Sequence, residues 1–293
     1  MSQLVGTASV NWGFDPLYTW VRQPGLDQML DEMARAGYAG TEISYNFPPA
    51  AKETKTALQR HGLRAAGTFH ALDLRERSRH PDELAALEPV ARRLSAVGGR
   101  DIILSDRPSA ERIAIAGRVQ NNGSDGLSAT AWRAVADGLN AAAELLTGLN
   151  MRASFHPHVG TFVETRTEID TLCALTDSAL LKLCPDTGHL AYAGVEPEAI
   201  FADYASRIGY VHLKDVDPEK LADIRSRQVG FVQAVRTGLF VELGRGMVRF
   251  DSIVGSLRNA RYDGWLIVEQ DAPQHPFESA AHNRRYLRDR FGL

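Results

Sequence analysis

Eight short β-rich apolar runs, at 4–10, 40–44, 64–70, 101–105, 152–158, 180–186, 208–215 and 265–271, recur along the 293-residue chain. Between them, apolar residues repeat at helical spacing, as in Leu26, Met29, Leu30, Met33 and Ala34, or Leu87, Val90, Ala91, Leu94 and Val97. Alternating strand-like and helix-like segments favour parallel strands joined by crossover helices, and eight such units suit a closed (β/α)8 TIM barrel better than an open sheet. The length would also accommodate two average domains, but barrels use roughly 250 residues as one. No low-complexity stretch, internal repeat or Pro-rich linker divides the chain, so residues 1–293 are read as a single domain of the α/β class.

Local punctuation agrees with this reading. Gly37 and Gly62 stand where helix C-terminal caps belong, and Ser128 precedes a helical run over 132–146 as an N-cap. Two connections are longer than a plain barrel requires. The first, 106–127, carries a polar turn at 120–126 that is either a flap over the catalytic face or a solvated turn. The second, 217–263, is read as one helix over 221–235 followed by a tight loop at Gly244-Arg245-Gly246 over the barrel mouth, without the strand and helix context of a nucleotide fingerprint.

A net charge of −3 gives no broad attraction to nucleic acid or anionic membrane, and no segment reaches the ~20 apolar residues of a membrane span. The N-terminal residues lack a basic region before their apolar run, which points to a cytoplasmic location. Cys173 and Cys184 are two isolated thiols in helix-like and strand-like patterns, as in a reduced compartment, and are expected to pack rather than react.

Four of the runs end in residues that bind metals: His156-Pro157-His158, Asp186-Thr187-Gly188-His189, His212-Leu213-Lys214-Asp215 and Glu269-Gln270-Asp271. Strand ends of a closed parallel barrel aim such groups at one place. Asp186 leaves a buried strand and is either a ligand or the N-cap of the next helix. His189 is a ligand, a donor to substrate or a structural histidine. His212 and Lys214 share a strand face and should both point inward, whereas Asp215 could neutralise Lys214 or fix a histidine tautomer. Glu269 ends a fully apolar run and needs a partner, for which a divalent cation serves; Gln270 and Asp271 are directed towards the helices or the rim. His156 and His158 alternate onto one face. Ancillary candidates for substrate contact are Asn11, Trp12, Glu42 and His70, with Trp12 equally suited to plugging the barrel. The Asp/Glu/His mixture suits Mn²⁺, Co²⁺ or Mg²⁺, with Zn²⁺ less favoured.

Ser9-Val10-Asn11-Trp12, Gly37 to Glu42, His156 to Thr161, Asp186 to Gly194, His212 to Val216 and Gly264 to Glu269 together resemble the xylose-isomerase-like barrels of sugar isomerases, epimerases and dehydratases, over essentially the whole chain. The nearest likeness is to the inosose (2-keto-myo-inositol) dehydratase branch. The resemblance implies metal ligands at Asp186, His212 and Glu269. The remaining position, a carboxylate in the wider family, falls at His156, which departs from the paired glutamates of ketose epimerases. It also implies Mn²⁺ or Co²⁺, and families of this type often assemble as homo-oligomers. Arg245 stands where similar dehydratases carry an acidic residue, and would suit a substrate carboxylate or phosphate or else be merely exposed.

The expectation is therefore a metal-dependent carbon-oxygen lyase acting on a keto-cyclitol or keto-sugar through a metal-stabilised enolate, with His158, His189 and Lys214 moving protons. A sugar isomerase or epimerase shares the enolate and is the closest rival. A metal-dependent endonuclease and a non-catalytic sugar-binding barrel are the remaining alternatives, the former disfavoured by the absence of a basic track.

Overall fold

The computed structural model describes residues 4–293. Eight barrel strands are present: β1 (Leu4–Thr7), β2 (Gly40–Thr41), β3 (Gly67–Leu72), β4 (Asp101–Asp106), β5 (Arg152–Phe155), β6 (Leu181–Leu183), β7 (Val211–Leu213) and β8 (Trp265–Val268). They form two parallel arcs, β2-β1-β8-β7 and β3-β4-β5-β6. The arcs join at both seams. Between β6 and β7, parallel bridges link Leu183 to Ile208 and Asp186 to His212. Between β2 and β3, the two-residue stretch Arg64–Ala65 pairs with β2, and the Ile43 N–H donates to Gly67 O at 2.8 Å.

Two apolar layers follow from the alternation of side chains along each strand. Ala66, Ile103, Cys184, Tyr210, Trp265 and Ile267 form a small separate cluster, while neighbouring residues such as Ile102, Leu104, Leu266 and Val268 belong to the larger core that includes the helices. The helix Leu26–Ala36 buries Met29, Leu30 and Met33 and ends at Gly37, whose φ of +93° lets its N–H reach the last carbonyls. Gly62, at φ +68°, lies one residue beyond the cap of the helix Ala51–Arg60. Ser128 accepts the Ala131 N–H at 3.2 Å and caps the helix Ala129–Gly148. Both cysteines are free and buried. Among the described residues no helix is long and apolar enough to cross a membrane.

One sequence expectation needs correction, and one open alternative is narrowed. The stretch 221–235 is two helices, Pro218–Ser226 and Phe231–Arg236, interrupted where Gln228 takes a φ of +54° that an uninterrupted helix cannot include. The polar turn at 120–126, open between a flap and a solvated turn in the sequence, contributes no residue to the lining of the cavity at the mouth. Asn121 is bonded to the N–H and hydroxyl of Thr167 at 3.0 and 2.9 Å, which fastens the turn to the neighbouring helix Arg166–Leu175.

Candidate metal centre and active site

The strands β5 to β8 stop just before or at the residues that converge on the mouth. His156 follows β5 and His212 lies on β7, with His156 Nε2 3.1 Å from His212 Nδ1. Asp186 Oδ2 is 3.8 Å from each of these nitrogens, and Glu269 Oε1 is 3.5 Å from His212 Nδ1. Ligands of a tetrahedral ion with bonds of ~2.1 Å lie about 3.4 Å apart, so these separations suit a small cation.

Asp186 performs both roles that its position allowed. Its Oδ1 accepts the Gly188 and His189 N–H groups at 2.7 and 2.9 Å, capping the helix Thr187–Ala193. Its Oδ2 is buried without a hydrogen-bond partner, an unsatisfied anionic oxygen facing the other donors. His212 Nε2 lies 2.8 Å from Glu42 Oε1. A carboxylate there holds the hydrogen on Nε2 and turns Nδ1 toward the cluster, the arrangement that commonly backs a ligating histidine. Burial opposes charge on His212, but Cys184, Glu269 and Glu42 outweigh it and raise its pKa well above the ordinary value. Among the described residues, two groups of buried donors could hold a metal, His156 with Asp186 and His189, and His212 with Glu42 and Glu269, and the 3.1 Å contact between His156 and His212 joins them.

Lys214 points inward with His212, as strand alternation requires. Its Nζ lies 2.8 Å from Asp271 Oδ1, 3.0 Å from Glu269 Oε2, 3.3 Å from His189 Nε2 and 3.5 Å from Asp186 Oδ2. Burial disfavours the ammonium, but Asp186, Asp271 and Glu269 raise its pKa well above the usual lysine value. Burial likewise raises Glu269, yet His212 and Lys214 bring it down to about 2.

These contacts fix two tautomers. An ammonium only donates, so His189 Nε2 accepts from Lys214 and the ring hydrogen sits on Nδ1, a buried atom with no hydrogen-bond partner. His158 Nδ1 lies 2.6 Å from the Val159 carbonyl, which only accepts, so its Nε2 keeps a free lone pair. Burial, then the charge of Lys214, depresses the His158 pKa to about 4. The two rings lie against each other with centroids 3.7 Å apart, beside Phe231.

Several assignments change. Asp271 faces inward, not towards the helices or the rim: besides Lys214 it takes the Tyr18 hydroxyl at 2.8 Å. Its parity with Glu269 was the available signal. Gln270 does point outward, to Asn283. Asp215 neither neutralises Lys214 nor orients a histidine. Its carboxylate accepts N–H groups from Val216, Gly244, Gly246 and Val248 at 2.9–3.0 Å, anchoring a loop that, contrary to the sequence expectation, does not line the cavity at the mouth. A Cβ at Gly246 would fall 2.2 Å from Asp215 Oδ1, so this loop requires glycine there.

A cavity of about 460 Å³ opens above the cluster, and Glu42, His70, His156, His158, His189 and Lys214 all line it. Asp15, Tyr18 and Phe231 line it too, unforeseen from the sequence. Three residues expected at the substrate do not. The single turn Ser9–Trp12 carries Asn11 and Trp12 away from the mouth. Asn11 ties β1 to β8 by donating to Thr7 and Val268 O and accepting from the Gln270 N–H, and Trp12 is buried with its indole N–H on Glu32. Arg245 is exposed and pairs with Glu242 at 3.2 Å, outside the cavity.

A closed parallel barrel whose last four strands deliver imidazoles and carboxylates to one mouth defines a class, and the chain belongs to the xylose isomerase-like TIM barrel family, whose profile matches residues 30–290. Within it, the chain is 33% identical to an inosose dehydratase of Clostridium botulinum, covering 99% of this chain and 97% of that one. It is 34% identical to an inosose dehydratase of Geobacillus kaustophilus, over 97% and 93% of the two chains. Solved structures share the fold at 16% identity. A probable 3-DHS dehydratase of Bacillus anthracis aligns with a TM-score of 0.73 over 98% of both chains. A D-allulose 3-epimerase of Methylomonas sp., in complex with D-allulose, aligns with a TM-score of 0.71 over 99% of this chain and 97% of that one.

Proposed function

We propose that this protein is a metal-dependent hydro-lyase that removes water from an uncharged keto-cyclitol or keto-sugar, as the inosose dehydratases to which it is similar do by name. A divalent cation, Mn²⁺ or Co²⁺ with Mg²⁺ and Zn²⁺ as alternatives, held by His156, Asp186, His212 and Glu269, would polarise the substrate carbonyl and acidify the adjacent C–H. His158 Nε2, with its free lone pair, takes that proton. His189 Nδ1–H donates to the departing β-hydroxyl while Lys214 returns a proton to His189 Nε2, so water leaves and the ring gains a double bond. Protonated His158 then passes its proton to solvent, while His189 returns its Nε2 proton to Lys214 and takes one from solvent on Nδ1.

The observation that carries this reading is the contiguous row His158, His189 and Lys214 beside the donor cluster. Such a row can take a proton and assist loss of a hydroxyl on one side of a ring. Epimerisation must instead return the proton to the opposite face, and the carboxylates Glu269 and Asp271 are already paired with Lys214. The substrate's neutrality follows from the cations. Of the lysines and arginines lining the cavity, Lys214 is held among carboxylates and Arg93 gives one nitrogen to the Phe47 and Pro48 carbonyls, so neither is wholly free for a phosphate. The same observation counts against an endonuclease. A cytoplasmic setting belongs to the proposal and is supported by the two free, buried thiols.

Incubation with 2-keto-myo-inositol and Mn²⁺ tests the reading. An ultraviolet-absorbing unsaturated product lighter by one water is expected, whereas an isomer of unchanged mass would identify an epimerase.

A further inference from the structure

The cavity has two unlike walls. The side built on β5 to β8 carries His156, His158, His189, His212, Lys214, Glu269 and Asp271, whereas the side built on β1 to β3 and the loops after them carries Phe14, Leu17, Tyr45 and Phe69 beside Asp15, Glu42 and His70. Leu17, Tyr45 and Phe69 are 45%, 58% and 43% exposed, three of the five large apolar side chains most open to solvent among the described residues. Isolated exposed apolar residues are ordinary, but several gathered on one wall of a deep cavity mark a binding surface.

The small polar side chains beside these apolar residues are already bonded within the protein. Ser9 and Ser44 share a hydrogen bond at 2.5 Å, Thr68 donates to Ile43 O at 2.5 Å, and Ser105 donates to His156 O at 2.9 Å. Tyr18 is bonded to Asp271 and Arg93 to two carbonyls. His70 Nε2 and Arg93 Nε are exceptions, buried without a partner. A ring with a hydroxyl on every carbon would leave the hydroxyls that face Leu17 and Phe69 unpaired. It would also underfill the space: twelve heavy atoms packed at about 0.75 density occupy roughly half or less of such a cavity.

We infer that the apolar wall formed by Leu17, Tyr45 and Phe69 is a subsite for an uncharged apolar substituent, aromatic or alkyl, carried by the keto-polyol on the side away from the reacting carbons. This rests on the dehydratase reading and narrows its substrate class. The continuity of the wall with the donor cluster argues for one ligand spanning both, since a single concave surface presents an apolar half and a polar half to the same space.

The test compares a keto-inositol with its mono-O-benzyl ether at the carbon opposite the ketone, where the ether is not the leaving group. The ether should show a kcat/KM at least tenfold above that of the parent, and the ratio should fall at least tenfold in Leu17→Ser and in Tyr45→Ser. Equal values for the two compounds, or equal losses on both in the variants, would overturn the subsite. Binding of the two compounds to the Mn²⁺-loaded protein, followed by calorimetry, separates the two levels of claim. Tighter binding of the ether without an unsaturated product would sink the dehydratase reading and leave the subsite standing. Light scattering on Tyr45→Ser gives a further check, because a dimer that becomes a monomer would identify the wall as an interface between copies of this chain.

Discussion

The two halves of the barrel mouth obtain their character in opposite ways. On the β5 to β8 side, charged and ionisable groups are buried, and each is tolerable because another opposes it: Lys214 among Asp186, Glu269 and Asp271, and His212 against Glu42. On the β1 to β3 side, Ser9, Ser44 and Thr68 are bonded internally, and Leu17, Tyr45 and Phe69 are left in the open. One half holds unsatisfied electrostatic potential, and the other holds unsatisfied apolar surface. A buried charge cluster is costly to dismantle piecemeal, whereas an apolar rim is tolerant, so chemistry is expected to be rigidly set by the first half and substrate choice to be adjustable in the second.

Variants can break this contrast, beginning with the largest effect. Glu269→Gln removes a donor from the cluster and the carboxylate facing Lys214; turnover should fall on the order of 1000-fold in a steady-state assay. Lys214→Met leaves Glu269 and Asp271 buried without their cation and should cost about 3–5 kcal/mol of stability in urea unfolding, with added Mn²⁺ recovering part of it. Glu42→Gln replaces the carboxylate behind His212 and should weaken Mn²⁺ binding by roughly 10- to 100-fold, read by calorimetry.

A smaller, pH-dependent effect is expected where the two halves meet. Glu164 accepts the N–H of Gly117, in the connection after β4, and of Gly160, in the loop after β5, at 2.7 and 2.8 Å. Burial raises its pKa from 4.5 to about 7 against those hydrogen bonds. The folded state therefore binds this proton more tightly than the unfolded chain does. Its stabilising contribution is full below about pH 4.5 and is lost as the pH rises through about 7. Glu164→Gln should flatten that part of the Tm profile, by on the order of 5 °C across the window. The smallest effect belongs to Arg245→Ala, which should change kcat/KM by less than about twofold, because an exposed pair outside the cavity contributes little.

The barrel was legible in the sequence because strand runs and helical spacing are local signals. The inward set His212, Lys214 and Glu269 was legible because alternation along a buried strand decides which way a side chain points. Asp271 obeys the same parity but lies three residues past the last apolar residue of the strand Trp265–Val268, where alternation is a weaker signal. Asn11 and Trp12 were misplaced because one tight turn after β1 redirects them, and nothing in their spacing signals it. Asp215 was misread for a different reason. Its partners are the backbone N–H groups of a loop some thirty residues on, at Gly244, Gly246 and Val248, which no side-chain pattern announces. Glu42 lies 170 residues from His212, and only barrel closure brings the two together.

The central claim is that four strand ends supply one metal site. It is tested most directly by the anomalous difference map of a crystal soaked in Mn²⁺. A single strong peak within bonding distance of His156 Nε2, Asp186 Oδ2, His212 Nδ1 and Glu269 Oε1 is the predicted result. A peak elsewhere, or none there in crystals that still turn over the keto-polyol, would contradict the account.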